Sequence, residues 1–205
     1  MTGAKKRKDA LIVFAKAPKE GLCKSRLIPW LGKKGATKIY KKVLEETLHN
    51  LSKLKEKEIF IFYTPRGHRS YFSQYARRVF LQRGRGLGQR MFNAFKRVFS
   101  MGYERVVLVG SDIPGLTEEI TEEAFRVLAE KDLVFGPSED GGFYLVGMRS
   151  PVEGLFEGVP WSSPVTLEVT LKRAKEGGLS VGFSSTLSDL DTIGDYLRLR
   201  KRGLI

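Results

Sequence analysis

Along the chain, apolar runs of strand length alternate with segments whose apolar positions return every third or fourth residue. ALIVFA (residues 10–15) reads as a first strand. Ala36, Ile39, Tyr40, Val43, Leu44, Thr47, Leu48 and Leu51 then mark one face of a long amphipathic helix. EIFIFYT (58–64) is a second strand stopped by Pro65, RSYFSQYA a short helix, and RVFLQ (78–82) a third strand. After the glycine-rich RGRGLGQ, Met91, Phe92, Phe95, Val98 and Phe99 outline a helix ending at Gly102.

RVVLVGSD (105–112) is a fourth strand, and Thr117 with Glu118 and Glu119 has the residue types of a capped helix start. DLVFGPS and FYLVGM are two further strands joined by EDGG, which fits a hairpin turn. Ser163 followed by Pro164 predicts a cap and first turn for the next helix. LSVGF supplies a last strand and DTIGDYLRLRKR a terminal helix, with Thr192 and Asp195 spaced as a variant capping box. Strands apolar on both faces, separated by helices, predict an α/β fold: a three-layer α/β/α sandwich with a mixed, mainly parallel sheet.

At 205 residues the chain suits a single domain spanning residues 1–205. Its 41% hydrophobic and 29% charged residues are those of a soluble globular protein. No apolar run reaches the roughly 20 residues of a membrane span, and no signal-type segment follows the basic N-terminus, so a cytoplasmic location is expected. The single cysteine, Cys23, excludes an internal disulfide and a cysteine-based zinc site. Neither His49 nor His68 has the spacing of a metal-ligand pair.

The net charge of +13 is compatible with nucleic acid, an anionic surface or small phosphorylated ligands. Part of it sits in KKRK at the start and RLRKRG at the end, and no basic run is interleaved with aromatics as in a strand-stacking surface. No specific nucleic acid is therefore expected.

Ligands of such sheets bind at the carboxyl ends of the strands, which turns those ends into a shortlist. The loop AKAPKEGLCKSRL carries Lys16, Lys19, Lys24 and Arg26 around one glycine, Gly21. It is neither a Walker A loop nor a GxGxxG fingerprint. Its cations are either solvated surface or a phosphate cradle at a helix N-terminus. Asp112 ends an aliphatic strand, where it either caps the DIPG turn or holds a hard cation with substrate phosphates. Asp189 and Asp191 offer further carboxylates at the same edge, and Glu139 and Asp140 precede two glycines that admit close backbone approach. Trp161 is either a packed anchor or a pocket wall.

AKAPKEGLCKSRL, GRGLGQRM, VGSDIPGL, EDGGFYLVG, WSSPVTLEVTL and DLDTIGDY, in this order, resemble the nucleotide-diphospho-sugar transferase superfamily of glycosyltransferase A fold. Within it they are most similar to a small glycosyltransferase-like family linked to arsenosugar biosynthesis. The KSRL and DLDT pieces also resemble 2-phospholactate guanylyltransferases. The resemblance implies a transferase whose Lys16, Lys24 and Arg26 face nucleotide phosphates, with Gly86, Leu87, Gly88 and Arg90 bordering base and ribose. It implies Mg²⁺ or Mn²⁺ on Asp112 and Asp191, with Asp112 also catalytic and Glu139 or Asp140 acting on an acceptor hydroxyl. Asp112 stands in Ser-Asp rather than a full Asp-x-Asp. The expected activity is metal-dependent transfer of a sugar from a nucleotide sugar to a small acceptor. The alternative is nucleotidyl transfer from a nucleoside triphosphate to a small phosphorylated acceptor. A non-catalytic nucleotide-binding or nucleic-acid-binding protein is a third class, and a homodimer is left open.

Overall fold

The computed structural model describes residues 9–205, and the KKRK tract lies outside them. Among the described residues, β1 (Asp9–Lys16), β2 (Lys57–Thr64), β3 (Arg78–Leu81), β4 (Arg105–Gly110), β5 (Leu133–Pro137), β6 (Phe143–Met148) and β7 (Val181–Phe183) form one sheet. Its order is β3-β2-β1-β4-β6-β5-β7. β1 runs parallel to β2 and β4, β3 parallel to β2, and β7 parallel to β5. Only β6 is antiparallel to its neighbours β4 and β5. The expected mixed, mainly parallel sheet is the one observed, with EDGG forming the β5–β6 hairpin.

The alternation of β1 explains the layers. Leu11, Val13 and Ala15 pack with Tyr40, Leu44 and Leu48 of α1 (Ile28–Leu51), Phe72 of α2 (Arg69–Ser73) and Phe125 of α4 (Glu118–Val127). Ala10 and Ile12 point the other way, onto Met91, Phe95 and Val98 of α3 (Leu87–Phe99) and Ala174 of α5 (Thr166–Glu176). Each fully buried large apolar side chain contributes about 1.5–3 kcal/mol by leaving water. Leu199 of α6 (Ile193–Lys201) packs with Leu27, Ala36 and Val43, tying the C-terminal helix to the start of α1.

Two local expectations need correction. The first long helix begins at Ile28, ahead of the periodic segment, with Pro29 in its first turn and a break at Gly32 (φ 66°, ψ 169°). That left-handed φ is open to glycine, so the chain turns there and resumes as a helix on the apolar period. Ser163 and Pro164 do not start α5, which begins at Thr166. The Thr166 hydroxyl instead donates to the carbonyls of Pro160 and Ser163, holding 160–166 as successive turns. Thr117 and Thr192 cap α4 and α6 as expected, and Asp195 completes the capping box of α6.

Candidate active site

The carboxyl ends of β1, β2 and β4 and the start of β6 open onto a cleft of about 450 Å³, lined by Lys16, Lys24, Tyr40, Asp112, Asp189 and Asp191, among others. A second hollow of about 330 Å³ adjoins it, shares Lys24, Asp112 and Asp191, and adds Arg26, Asp140 and Trp161.

The loop after β1 is held from below. Ala17 N–H donates to Thr64 O at 2.7 Å, and the Cys23 thiol donates to Ala17 O at 3.2 Å. Burial pushes the Cys23 pKa up, so this thiol is an inert packing group. The Tyr40 hydroxyl donates to Lys16 O at 2.7 Å and accepts from Lys16 N–H at 3.1 Å, fixing the last residue of β1. Burial, with Asp112 nearby, raises the Tyr40 pKa and keeps its phenol neutral.

Lys24 sits in left-handed backbone (φ 49°, ψ 50°). Its side chain, only 6% exposed, places Nζ 2.5 Å from Asp112 Oδ2. Burial acts against the ammonium, but the Asp112 carboxylate overrides it, and the Lys24 pKa lies above its ordinary value. Lys24 is therefore a fixed charge inside the cleft. Arg26 is different: its Nη1 meets Asp191 Oδ2 at 2.5 Å, with both side chains about half exposed. The two loop cations each face one of the two carboxylates expected to hold metal.

Asp189 is the strained member of the cluster. Its Oδ1 is buried and has no hydrogen-bond partner among the described residues. Burial first, then the Asp112 and Asp140 carboxylates, push its pKa up to about 7, with Lys24 opposing. A buried carboxylate oxygen without a partner is costly, and such groups cluster at functional sites.

The remaining sequence-derived residues divide. Leu87 faces the cleft from the start of α3. Gly86 and Gly88 line a separate hollow on the other side of that helix. A Cβ at Gly88 would lie 2.7 Å from Phe156 O and 3.0 Å from the Trp161 ring, so the glycine lets the 150s loop pack onto α3. Arg90 turns back to its own loop, donating to Gly84 O at 3.1 Å. Asp140 Oδ1 accepts from Gly142 N–H at 2.9 Å while the residue lines the second hollow. Glu139 pairs with Arg202 at 3.4 Å, outside both hollows. A hydrogen bond from Ser188, with Arg202, lowers its pKa, so it stays ionised and is poorly suited to take a proton.

Tyr40 and Gln82 were not singled out from the sequence. Gln82 Nε2 donates to Phe62 O at 2.9 Å and lines the cleft. Tyr40 counts as an apolar position in the helical period, and Gln82 reads as a strand tail, so neither pattern signals a polar role.

A profile of one protein family matches residues 47–163. The chain belongs to family DUF2064. The description of that family is "uncharacterized protein conserved in bacteria". No curated protein matches the sequence. Among solved structures, a candidate nucleotide-diphospho-sugar transferase from Desulfovibrio desulfuricans G20 is 30% identical, with a TM-score of 0.88 over 96% of this chain and 87% of that one. A 4-diphosphocytidyl-2C-methyl-D-erythritol synthase from Anaerococcus prevotii DSM 20548 is 13% identical, with a TM-score of 0.62 over 96% of each chain. Glucosyl-3-phosphoglycerate synthase from Mycobacterium tuberculosis is 12% identical, with a TM-score of 0.57 over 97% of this chain and 77% of that one. The nucleotide-diphospho-sugar transferase superfamily and fold expected from the motifs are borne out, and the transferase class read from the sequence is the class of these neighbours. No helix among the described residues is long and apolar enough to cross a membrane.

Proposed function

We propose that the protein is a metal-dependent glycosyltransferase-like enzyme that moves a sugar from a nucleotide-sugar donor to a small acceptor. The observation that carries this reading is the meeting of Lys24, Asp112, Asp189 and Asp191 in one cleft at the carboxyl ends of the parallel strands of the mixed sheet. The 30% identical relative described as a candidate nucleotide-diphospho-sugar transferase supports it.

The side chains of the cleft offer a divalent cation few protein ligands of their own. Among the described residues, no three His, Cys, Asp or Glu groups stand close enough together to form a complete protein cage. The donor set suits instead a hard cation held by one or two carboxylates plus substrate phosphates. Asp112 and Asp191 would hold it, and the unpartnered Asp189 Oδ1 would gain a cation nearby. Bound there, the cation would neutralise charge developing on the leaving diphosphate. The relative from Mycobacterium tuberculosis contains Mn²⁺ and UDP.

Within this reading Lys24 is a pre-aimed cation at the floor of the cleft, costing no reorganisation when the diphosphate leaves. Arg26, more exposed, exchanges Asp191 for a phosphate oxygen when donor arrives. Asp140 orients the acceptor hydroxyl and takes its proton as that oxygen bonds to the sugar's anomeric carbon. The bond from this carbon to the diphosphate oxygen breaks, and its electron pair leaves with the diphosphate. The base and ribose lie toward Leu87 and Gln82.

Nucleotidyl transfer to a phosphorylated acceptor is the second reading, supported by the fold shared with a cytidylyl-type synthase. A thermal-shift screen of nucleoside triphosphates and nucleotide sugars, with and without Mn²⁺, separates the two. Stabilisation by nucleotide sugars that requires Mn²⁺ supports glycosyl transfer. Stabilisation by triphosphates alone supports the second reading, and no response refutes both.

A further inference from the structure

Beside the cleft, on the far side of α3, lies a larger hollow of about 580 Å³ that the donor reading leaves unused. Its apolar walls are Phe92, Phe156 and Trp161, and its polar rim includes Glu153 and Glu157. Trp161 also lines the hollow that contains Asp112 and Asp140, so one indole separates the two spaces. Phe156 and Trp161 stand 6.2 Å apart, tilted by 49°, and Phe143 meets Trp161 edge-on at 6.0 Å. The close approach at Gly88 packs this wall directly against α3.

The charge pattern is opposite to that of the rest of the molecule. The chain carries a net +13, and the neighbouring cleft has Lys16, Lys24 and Arg26. Yet the side hollow contains no Lys or Arg in its lining. Among the described residues, neither Glu153 nor Glu157 makes a side-chain hydrogen bond or ion pair. Arg173, which approaches Gly158 on the same loop, pairs with neither. Aromatic faces with unpaired carboxylates at the rim attract an organic cation through the ring quadrupole and through charge. The same carboxylates repel a phosphate.

We propose that this hollow is a binding site of its own, apart from the donor cleft, and that it recognises a small organic cation, an amine or quaternary ammonium. The inference stands on the hollow itself and does not depend on the donor reading. A phosphorylated ligand is disfavoured there.

The test is ligand-observed NMR with choline and its neutral isostere 3,3-dimethyl-1-butanol, on the parent and on the Glu153→Gln/Glu157→Gln double variant. Both positions are exposed, so the double variant keeps the fold. Choline is expected to bind the parent more tightly than the isostere, and the double variant to lose about tenfold in choline affinity. Equal binding of the two probes, choline affinity unchanged in the double variant, or no choline binding at all overturns the proposal. UDP with Mn²⁺ is titrated into the same parent sample. If UDP fails to bind while choline behaves as expected, the donor reading has fallen and the cation site has not.

Discussion

Replacing Asp189 by Asn gives a stability effect whose sign depends on pH. In the folded protein the carboxyl titrates near 7, against an ordinary 3.8, because burial and the Asp112 and Asp140 charges disfavour ionisation. Well below pH 4 both folded and unfolded chains hold this proton, and ionisation of the group costs no stability. Between pH 4 and 7 the folded chain holds a proton that the unfolded chain has released, so stability falls as pH rises. Above pH 7 the loss is complete. A difference of about 3 in pKa corresponds to about 4 kcal/mol. Asparagine has the same shape and no titration, so the gap between variant and parent isolates this one group from all others. Urea unfolding at a series of pH values is the assay, with ΔG compared at equal m. The variant should match the parent near pH 4 and exceed it by about 4 kcal/mol near pH 8. A gap that does not change with pH, or a parent more stable than the variant at pH 8, would refute the strained-carboxylate argument.

Three more outcomes follow from the geometry. Arg26→Ala should change stability by less than about 1 kcal/mol, since its pair with Asp191 is exposed, yet weaken nucleotide binding about tenfold or more in calorimetry. Asp9→Ala removes the bidentate partner of Arg105 and the 3.8 Å neighbour of Lys57 at the opposite, amino-terminal ends of the strands. Leaving the half-buried Arg105 without its carboxylate, though Nη1 still donates to Phe125 O, should cost about 1.5–3 kcal/mol in urea unfolding, with no effect on nucleotide affinity in a folded sample. Gly88→Ala forces a methyl into contact with Phe156 and Trp161, and should cost about 1–3 kcal/mol while changing Trp161 fluorescence. A variant as stable as the parent would show that the 150s loop yields freely.

The strands were legible because a parallel sheet covered on both faces leaves uninterrupted aliphatic runs, and Leu11 to Val13 and Val106 to Val109 are such runs. The strand-end rule then led to Lys24, Asp112, Asp189 and Asp191, which the fold brings to one cleft. What the pattern could not show is pairing. Lys24 and Asp112 are 88 residues apart, and nothing in either local stretch tells a phosphate-facing lysine from one clasped by a carboxylate. Gly86 and Gly88 resemble a ligand-approach loop because glycine is equally the residue of close packing, and contact with Phe156 and Trp161 is what Gly88 serves here. Ser163 misled for a related reason: Ser-Pro opens helices and turns alike, and the Thr166 hydroxyl decides for a turn. Glu139 and Asp140 are adjacent in sequence, yet Glu139 pairs with Arg202 while Asp140 accepts from Gly142 N–H and lines the second hollow, partners that lie outside the local pattern.

The central claim is that this cleft holds a metal-bridged diphosphate, and it can be tested without knowing the base or the sugar. Calorimetric titration of inorganic pyrophosphate with Mg²⁺ into the parent and into Asp112→Ala is the direct measurement. The parent should bind only when Mg²⁺ is present, and the variant should lose that binding while keeping a cooperative urea transition. Equal affinity in the two proteins, or binding by the parent that ignores Mg²⁺, would contradict the account.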